Sequence, residues 1–177
     1  WNTTGEPDPE LAALRKKHAN KSAETIHAKN YFLNMTDGGV YADEEAVSIT
    51  AMLLENIDPD IVFLHWPIDK PDHVAASAMA LTALSKKGMM YDREIYFFEV
   101  GHLNHFTPEV YVDISSIWDV KVKLVDIHER FNDDRYKEMA EKSAAYHGRT
   151  NQCKYAEGFK PLFPLSTSRT KCSLLDL

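Results

Sequence analysis

Short apolar runs alternate with longer segments of helical periodicity along the middle of this chain. Residues 61–65 and 95–100 are two of the apolar runs, and their content of Ile, Val and Phe is typical of buried strands. The segment from Pro71 to Gly88 is rich in Ala and predicts a helix, with Gly88 suited to the position just beyond its end. Strands that alternate with helices of this length predict βαβ units and hence a parallel sheet covered on both faces.

The remaining elements are predicted from helical spacing, capping residues and short apolar runs. Further helices are expected after Asp8-Pro9-Glu10, from Glu44 to Asn56, after Ser115 or Ser116, and from Asp133 to Tyr146. Further strands are expected at 30–34 and 110–114, and the tail from Gly158 onward is expected to be irregular. The predicted fold class is α/β, a three-layer Rossmann-like sandwich with a mostly parallel sheet. No GxGxxG motif is present, so the sequence does not support a dinucleotide site.

Composition and charge narrow the classes of function. The 177 residues suffice for a single domain, which we expect to span 1–177, and 44% hydrophobic and 27% charged residues are ordinary for a globular protein. The net charge of −7 argues against nucleic acid as a partner, because phosphate binding needs a basic face. No apolar run approaches the roughly 20 residues of a membrane span. Cys153 and Cys172 lack CxxC spacing, and we expect two unpaired thiols.

Side chains that can carry chemistry follow the apolar run at 61–65. They are His65, Trp66, Asp69, Lys70, Asp72 and His73. Ligands of open α/β folds bind outside the carboxyl ends of the strands, so this segment is predicted to form the floor of an active site. A histidine at the head of the following helix can bind a metal while a neighbouring carboxylate orients its ring.

Several short motifs give the chain a specific resemblance. They are Arg15, Tyr31-Phe32 followed by Asp37-Gly38, Pro59-Asp60-Ile61-Val62-Phe63, Pro67 with Asp69 and Asp72-His73, Phe106-x-Pro108, Val112-Asp113-Ile114, Lys123 with His128, and Ala156-Glu157-x-Phe159. In this order they resemble the LmbE-like (PIG-L) de-N-acetylase family, from Thr4-Gly5-Glu6 to about Phe159. Proteins of that family use zinc to remove acetyl groups from N-acetylglucosamine-type sugars and related amides.

The resemblance implies an LmbE-like fold, a zinc cofactor and a small-molecule amino-sugar substrate. It implies that His73 is a metal ligand and that Arg15 and Asp37 hold hydroxyl or amide groups of the sugar. Trp66 and Asp69 are further candidates for substrate binding, Trp66 because an indole can stack on a sugar face. An equally open interpretation is that Trp66 covers the core, and Asp37, which precedes two glycines, is also a turn-forming residue.

Two departures from the family pattern bear on activity. The family takes two further zinc ligands and its general base from a His-Pro-Asp-Asp-Glu type motif upstream of the Thr-Gly-Glu region. This chain starts at Trp1 and contains no His-Pro pair. We therefore expect the catalytic base to lie in an N-terminal segment outside this sequence, so that the domain as given lacks its first strand and its metal-binding loop.

The second departure concerns the residues before His73. The family pattern is Asp-x-His-x-Asp-His, whereas the segment from Asp69 to His73 is one residue shorter and has no His in its middle. Three explanations are open. Lys70 has taken over as a cationic donor, activity is lost, or a residue between Lys70 and Pro71 is missing from the sequence.

Two functions therefore have to be weighed. The first is a zinc-dependent hydrolase that removes an acetyl group from an N-acetylglucosamine-type sugar or conjugate. The second is a catalytically inactive relative that binds a carbohydrate or a protein through the same cleft. The sequence leaves an oligomer possible and does not fix the compartment, for which the bacterial cytoplasm or cell envelope is expected.

Overall fold

The computed structural model describes residues 8–99, 106–128 and 134–163, and these ranges contain five α-helices and four β-strands. The helices are α1 (Pro9–Thr25), α2 (Glu44–Ile57), α3 (Pro71–Lys86), α4 (Trp118–His128) and α5 (Arg135–Thr150). The strands are β1 (Ile61–His65), β2 (Glu94–Phe98), β3 (Val110–Asp113) and β4 (Ala156–Pro161). Each helix that the sequence predicts is present within these ranges.

The four strands form one sheet in the order β1-β2-β4-β3. β1 and β2 pair in parallel along their whole length, whereas β2 and β4 are antiparallel. Glu109 N donates to Phe159 O just before β3, and Ile114 N donates to Tyr155 O just after it. Residue numbers thus rise along β3 while they fall along β4. Three strands run in one direction, and the predicted α/β class with a mostly parallel sheet is confirmed, with β4 as the exception.

The chain divides into two compact units, one from 1–36 and 113–157 and the other from 37–112 and 158–177. In the second unit, α3 packs on β1 and α2 packs on α3. The core of this unit is a buried cluster of four apolar residues, Leu64, Leu84, Ile95 and Phe97. Because these side chains come from β1, α3 and β2, the cluster joins the helix to the two strands that precede and follow it.

The opposite face of β2 is buried as well. Tyr96 alternates with Ile95 and Phe97 along the strand, and it packs against Val110 in a second buried cluster. Its hydroxyl donates to the carboxylate of Glu94 at 2.6 Å. A strand buried on both faces is what the unbroken apolar run in the sequence predicts.

In the first unit, α1 packs on α4, and α4 packs on α5. Trp118 at the start of α4 stacks on the ring of Tyr155, with ring centroids 4.1 Å apart. Ser115 is one of the two serines that the sequence offers as a cap for this helix, but its hydroxyl accepts a hydrogen bond from Tyr155 N at 3.0 Å. A 3-10 turn at Ser115–Ile117 leads into α4 in place of a side-chain cap.

Two predictions about strands were wrong. Residues 30–34 form no strand, because Tyr31 and Phe32 lie exposed and Asn34 has a left-handed backbone (φ +56°) that no strand accommodates. The tail after Gly158 is not irregular up to Pro161, because β4 includes both residues. The pairing of β4 with β2 outweighs the weak intrinsic preference of Gly and Pro for strands.

Helix ends follow the sequence signals closely. The carboxylate of Asp8 accepts a hydrogen bond from Leu11 N at 2.9 Å, and that of Asp43 accepts one from Ala46 N at 2.8 Å. Both aspartates thereby satisfy a backbone donor that the first helical turn leaves unpaired. Gly88 follows α3 with φ +70°, as expected for a glycine at this position.

None of the helices in the part of the chain that the structure describes combines the length and the apolar character needed to cross a membrane.

We expect Leu84→Ala to lower the free energy of unfolding by about 2–5 kcal/mol, because it leaves a cavity at a fully buried position. Urea denaturation measures the change. Met52→Ala on α2 is the matched control, since Met52 is 53% exposed and its loss should change stability by less than about 0.5 kcal/mol. Equal effects of the two substitutions would contradict the position of the core.

The stability of the first unit depends on pH through a histidine. His128 Nε2 lies 2.9 Å from Ser22 Oγ, and its ring meets that of His18 edge-on. Burial lowers the pKa of His128, and the neighbouring His18 lowers it further. Since the unfolded chain then binds a proton more readily than the folded chain, stability is retained above the ordinary pKa of about 6.5 and is lost as the pH falls below it.

His128→Gln should therefore flatten the loss of stability between pH 7 and pH 5, because glutamine cannot take up the proton. Thermal unfolding measured across this range, with His27→Gln as an exposed control, tests the expectation. A slope that is the same in the His128 variant and in the unaltered protein would contradict it.

Candidate functional site

Three potential metal ligands converge where β1 ends and α3 begins. His65 is the last residue of β1, and Asp69 and His73 lie in the connection and in the first turn of α3. One ligand atom from each of the three residues lies within 4.8 Å of the others. The carboxyl end of a parallel strand is the position at which α/β folds place their ligands, so the predicted floor of the site is where the cluster lies.

Asp69 fixes the ring of His73. Its Oδ2 lies 2.6 Å from His73 Nδ1, and its other oxygen accepts a hydrogen bond from Lys70 N at 2.7 Å. The Asp69 side chain is only 8% exposed, against 26% for His73. An ionised carboxylate only accepts hydrogen bonds, so this contact places the proton of a neutral His73 on Nδ1 and leaves the lone pair on Nε2.

The ring of His65 packs against the ring of His73. The two imidazoles are stacked, with centroids 4.3 Å apart and an angle of 12° between the rings, and Phe98 covers His65 at 4.7 Å. Within the described residues His65 Nδ1 is buried and has no hydrogen-bond partner. The backbone oxygen of His65 accepts a hydrogen bond from Ser77 on α3, which ties the strand end to the helix.

The environment of His65 favours its neutral form. Burial lowers its pKa below the ordinary value, the proximity of His73 lowers it further, and Asp69 raises it in part. A neutral imidazole is the form that binds a metal.

The donor set of this cluster fits a zinc ion. Two imidazoles and one carboxylate are common zinc ligands, and the buried Nδ1 of His65 lacks any other partner among the described residues. A tetrahedral ion with bonds of about 2.1 Å holds its ligands about 3.4 Å apart, so the three donors, which lie within 4.8 Å of one another, would have to move closer to bind one ion.

The turn that carries Asp37 is attached to the same helix end. Asp72, the residue before His73, accepts a hydrogen bond from Gly38 N at 2.6 Å and another from Val40 N at 3.3 Å. Gly38 has φ +79°, a conformation that glycine adopts without strain. The predicted turn at Asp37 is therefore present, and the structure places it beside the start of α3.

Trp66 packs against the core of the second unit. Its ring meets Phe97 and Phe106 edge-on at 5.6 and 5.4 Å, and Lys160 Nζ lies 6.0 Å from its centroid. This contact agrees with the interpretation that Trp66 covers the core. Its stacking on a sugar stays a prediction.

The other candidates from the sequence fall in different places. Arg15 is exposed on α1 in the first unit, and its role in sugar binding stays a prediction. Lys70 precedes α3 as the residue at its N-cap position. Two further histidines that could line a cleft, His102 and His105, lie outside the described residues. His65 was not assigned a role from sequence alone, and the signal that could have found it is a histidine placed last in a buried strand.

Comparison with known proteins gives a family match that includes the cluster of His65, Asp69 and His73. A family model described as PIG-L, GlcNAc-PI de-N-acetylase, matches residues 2–84, which confirms the resemblance drawn from the motifs. No curated protein sequence matches the chain.

Three solved structures show that the fold is shared. GalB, the 4-carboxy-2-hydroxymuconate hydratase of Pseudomonas putida, aligns with TM-score 0.79 and 22% identity over 98% of this chain and 80% of its own. The N,N'-diacetylchitobiose deacetylase of Pyrococcus horikoshii aligns with TM-score 0.74 and 24% identity over 97% and 73%. A conserved protein of Thermus thermophilus aligns with TM-score 0.73 and 24% identity over 94% and 80%.

We expect Asp69→Asn to lower the pKa of His65 further in the metal-free protein, because it removes the one neighbouring charge that raises it. NMR titration of the imidazole carbon-bound protons measures this value. Asp43→Asn is the control, since it neutralises a carboxylate of the same unit that does not perturb His65. A higher or unchanged pKa in the Asp69 variant would contradict the electrostatic account.

Proposed function

We propose that this chain, whose residues 2–84 match the PIG-L family, belongs to a zinc-dependent hydrolase that removes an acetyl group from an N-acetylglucosamine-type sugar or conjugate. The observation that supports this most directly is the cluster of His65, Asp69 and His73 at the end of β1, because it lies inside the matched segment. The family match supports the reaction class, and the cluster supports this place for the metal.

His73 would hold the metal through Nε2, with His65 as the neighbouring imidazole and Asp69 as the carboxylate that orients the His73 ring. A zinc ion bound there would supply Lewis acidity toward the acetamide carbonyl and would lower the pKa of a bound water. Asp69 keeps the His73 ring in one tautomer and one orientation, so that its free lone pair points away from the carboxylate. The His65 ring stacks on one face of the His73 ring and so covers that face.

Substrate binding is assigned to the remaining candidates. Asp37 and Arg15 would hold hydroxyl or amide groups of the sugar, and Trp66 would offer its ring to an apolar sugar face. Amide hydrolysis also requires a proton for the departing amine, and Lys70 at the head of α3 is the proposed cationic donor.

The structural neighbours include both a deacetylase and a hydratase. Their common fold therefore does not by itself select the reaction, because function depends on the site that the fold carries. Amide hydrolysis releases acetate together with a primary amine, whereas addition of water to a double bond releases neither. An assay that detects both products distinguishes the two.

A second candidate function is a binding module for a carbohydrate or a protein. The observation that favours it is the segment from Asp69 to His73, which is one residue shorter than the family pattern and has Lys70 in place of the missing histidine. In this case the cleft would bind a sugar without hydrolysis and would retain zinc weakly.

We expect the full chain to retain about one zinc after dialysis against a weak chelator. His73→Ala should weaken zinc binding by more than about 100-fold, and Asp69→Asn by about 10–100-fold, the range typical of a residue that orients a ligand. His18→Ala removes an imidazole outside the cluster and should leave zinc binding unchanged.

The same proteins are assayed for acetate and amine release from N-acetylglucosamine conjugates. Retention of zinc with release of both products supports the hydrolase. Sugar binding without zinc and without product identifies the binding module instead. Equal zinc binding by the His73 and His18 variants would reject the proposed metal position.

A further inference from the structure

Asp72 holds a loop rather than its own helix. It lies in the first turn of α3, where a carboxylate often caps backbone donors of the same helix. Its two oxygens instead accept hydrogen bonds from Gly38 N (2.6 Å) and Val40 N (3.3 Å), 34 and 32 residues away along the chain. Both contacts lie within the unit formed by 37–112 and 158–177.

The loop that Asp72 holds is exposed and irregular. No helix or strand is formed between α1 and α2, and residues 34–38 are exposed. A loop with few buried contacts is positioned chiefly by its hydrogen bonds, and those to a charged acceptor are the stronger ones. The two bonds to Asp72 flank Gly39 and follow Asp37 directly, so they fix the backbone at the residue next to Asp37.

The glycine at 38 makes this attachment feasible. Its φ of +79° turns the backbone so that the N–H reaches Asp72. A Cβ at this position would meet nothing within 4 Å, so conformation rather than space favours glycine here. The backbone turn at Gly38 and the carboxylate of Asp72 therefore depend on each other.

We propose that Asp72 is a positioning residue, which holds the turn of Asp37 at the start of α3 and thereby sets the geometry of the sugar-binding side of the site. This inference rests on the proposed function, in which Asp37 binds the substrate and His73 holds the metal. Asp72 itself would touch neither substrate nor metal. Its carboxylate would act through the backbone of the turn.

The first test is independent of activity. In Asp72→Ala the amide protons of Gly38 and Val40 should exchange with solvent about tenfold faster, the factor expected from the loss of one hydrogen bond to a charged group. Asp43→Ala is the matched control. Asp43 is an aspartate at a helix start in the same unit and accepts a backbone N–H, but its donor is Ala46 rather than a residue of the loop. It should leave the exchange of Gly38 and Val40 unchanged. Equal exchange in the Asp72 variant and in the unaltered protein would overturn the attachment.

A softer variant keeps the test decisive if Asp72→Ala fails to fold. Asp72→Asn retains one accepting oxygen and presents an NH2 group to the second backbone donor, so Val40 or Gly38, but not both, should lose protection. Loss of protection at neither amide would overturn the proposal in this variant as well.

The second test asks whether Asp72 acts through Asp37. For deacetylation, Asp72→Ala should raise KM about tenfold and change kcat less, because a group that binds substrate has been displaced. Asp37→Ala should have the same effect, and the double variant should be no worse than Asp37→Ala alone. Effects on KM that multiply in the double variant would overturn the positioning role.

The two tests distinguish a failure of the proposed function from a failure of the attachment between Asp72 and the loop. If the unaltered chain releases no acetate but the amides of Gly38 and Val40 lose protection in Asp72→Ala, the proposed function fails while the attachment stands. If acetate is released and the amides are unaffected, the attachment fails while the function stands.

Discussion

The short connection between β1 and α3 constrains the whole candidate site. Five residues, 66–70, separate the last residue of the strand from the first residue of the helix. Because α3 packs on β1, this connection has to reverse the chain within a small volume. The buried hydroxyl of Ser77 donates to His65 O at 2.6 Å and so fixes the helix against the strand end. The stacking of His73 on His65 follows from that attachment.

The same constraint explains the charge pattern at the site. The connection carries one carboxylate, Asp69, whose buried side chain lies against the Nδ1 edge of His73. The neighbouring residue Asp72 points to another part of the chain, where backbone donors need an acceptor. Two aspartates three residues apart thus have different partners. Asp69 contacts the side chain of His73, and Asp72 accepts hydrogen bonds from the backbone of a loop.

The elements around the site could be predicted from the sequence because their signals are local. The apolar run at 61–65, the proline that begins α3 and the glycine that follows it are each sufficient over a few residues. β4 was missed because its strand conformation depends on pairing with β2, which is a tertiary effect. The strand expected at 30–34 failed for the converse reason, since its apolar residues have no sheet to join.

Of the candidate site, the sequence could single out His73 and Asp69 because the family motif names them. Their hydrogen bond and the stacking of His65 depend on how the connection folds. Likewise, the acceptor role of Asp72 spans more than 30 residues and has no signature in a linear sequence. Local chemistry is readable from residue types, but the pairing of distant groups is not.

The packing of the tryptophans has a practical consequence. Trp66 is held edge-on by two phenylalanines next to the histidine cluster, and Trp118 is stacked flat on a tyrosine in the other unit. The two indoles thus lie in different surroundings, Trp66 against two phenylalanine rings and Trp118 on a phenol ring. Once Trp1, which lies outside the described residues, is replaced with phenylalanine, changes in emission can be assigned to one unit by replacing either of the other two indoles as well.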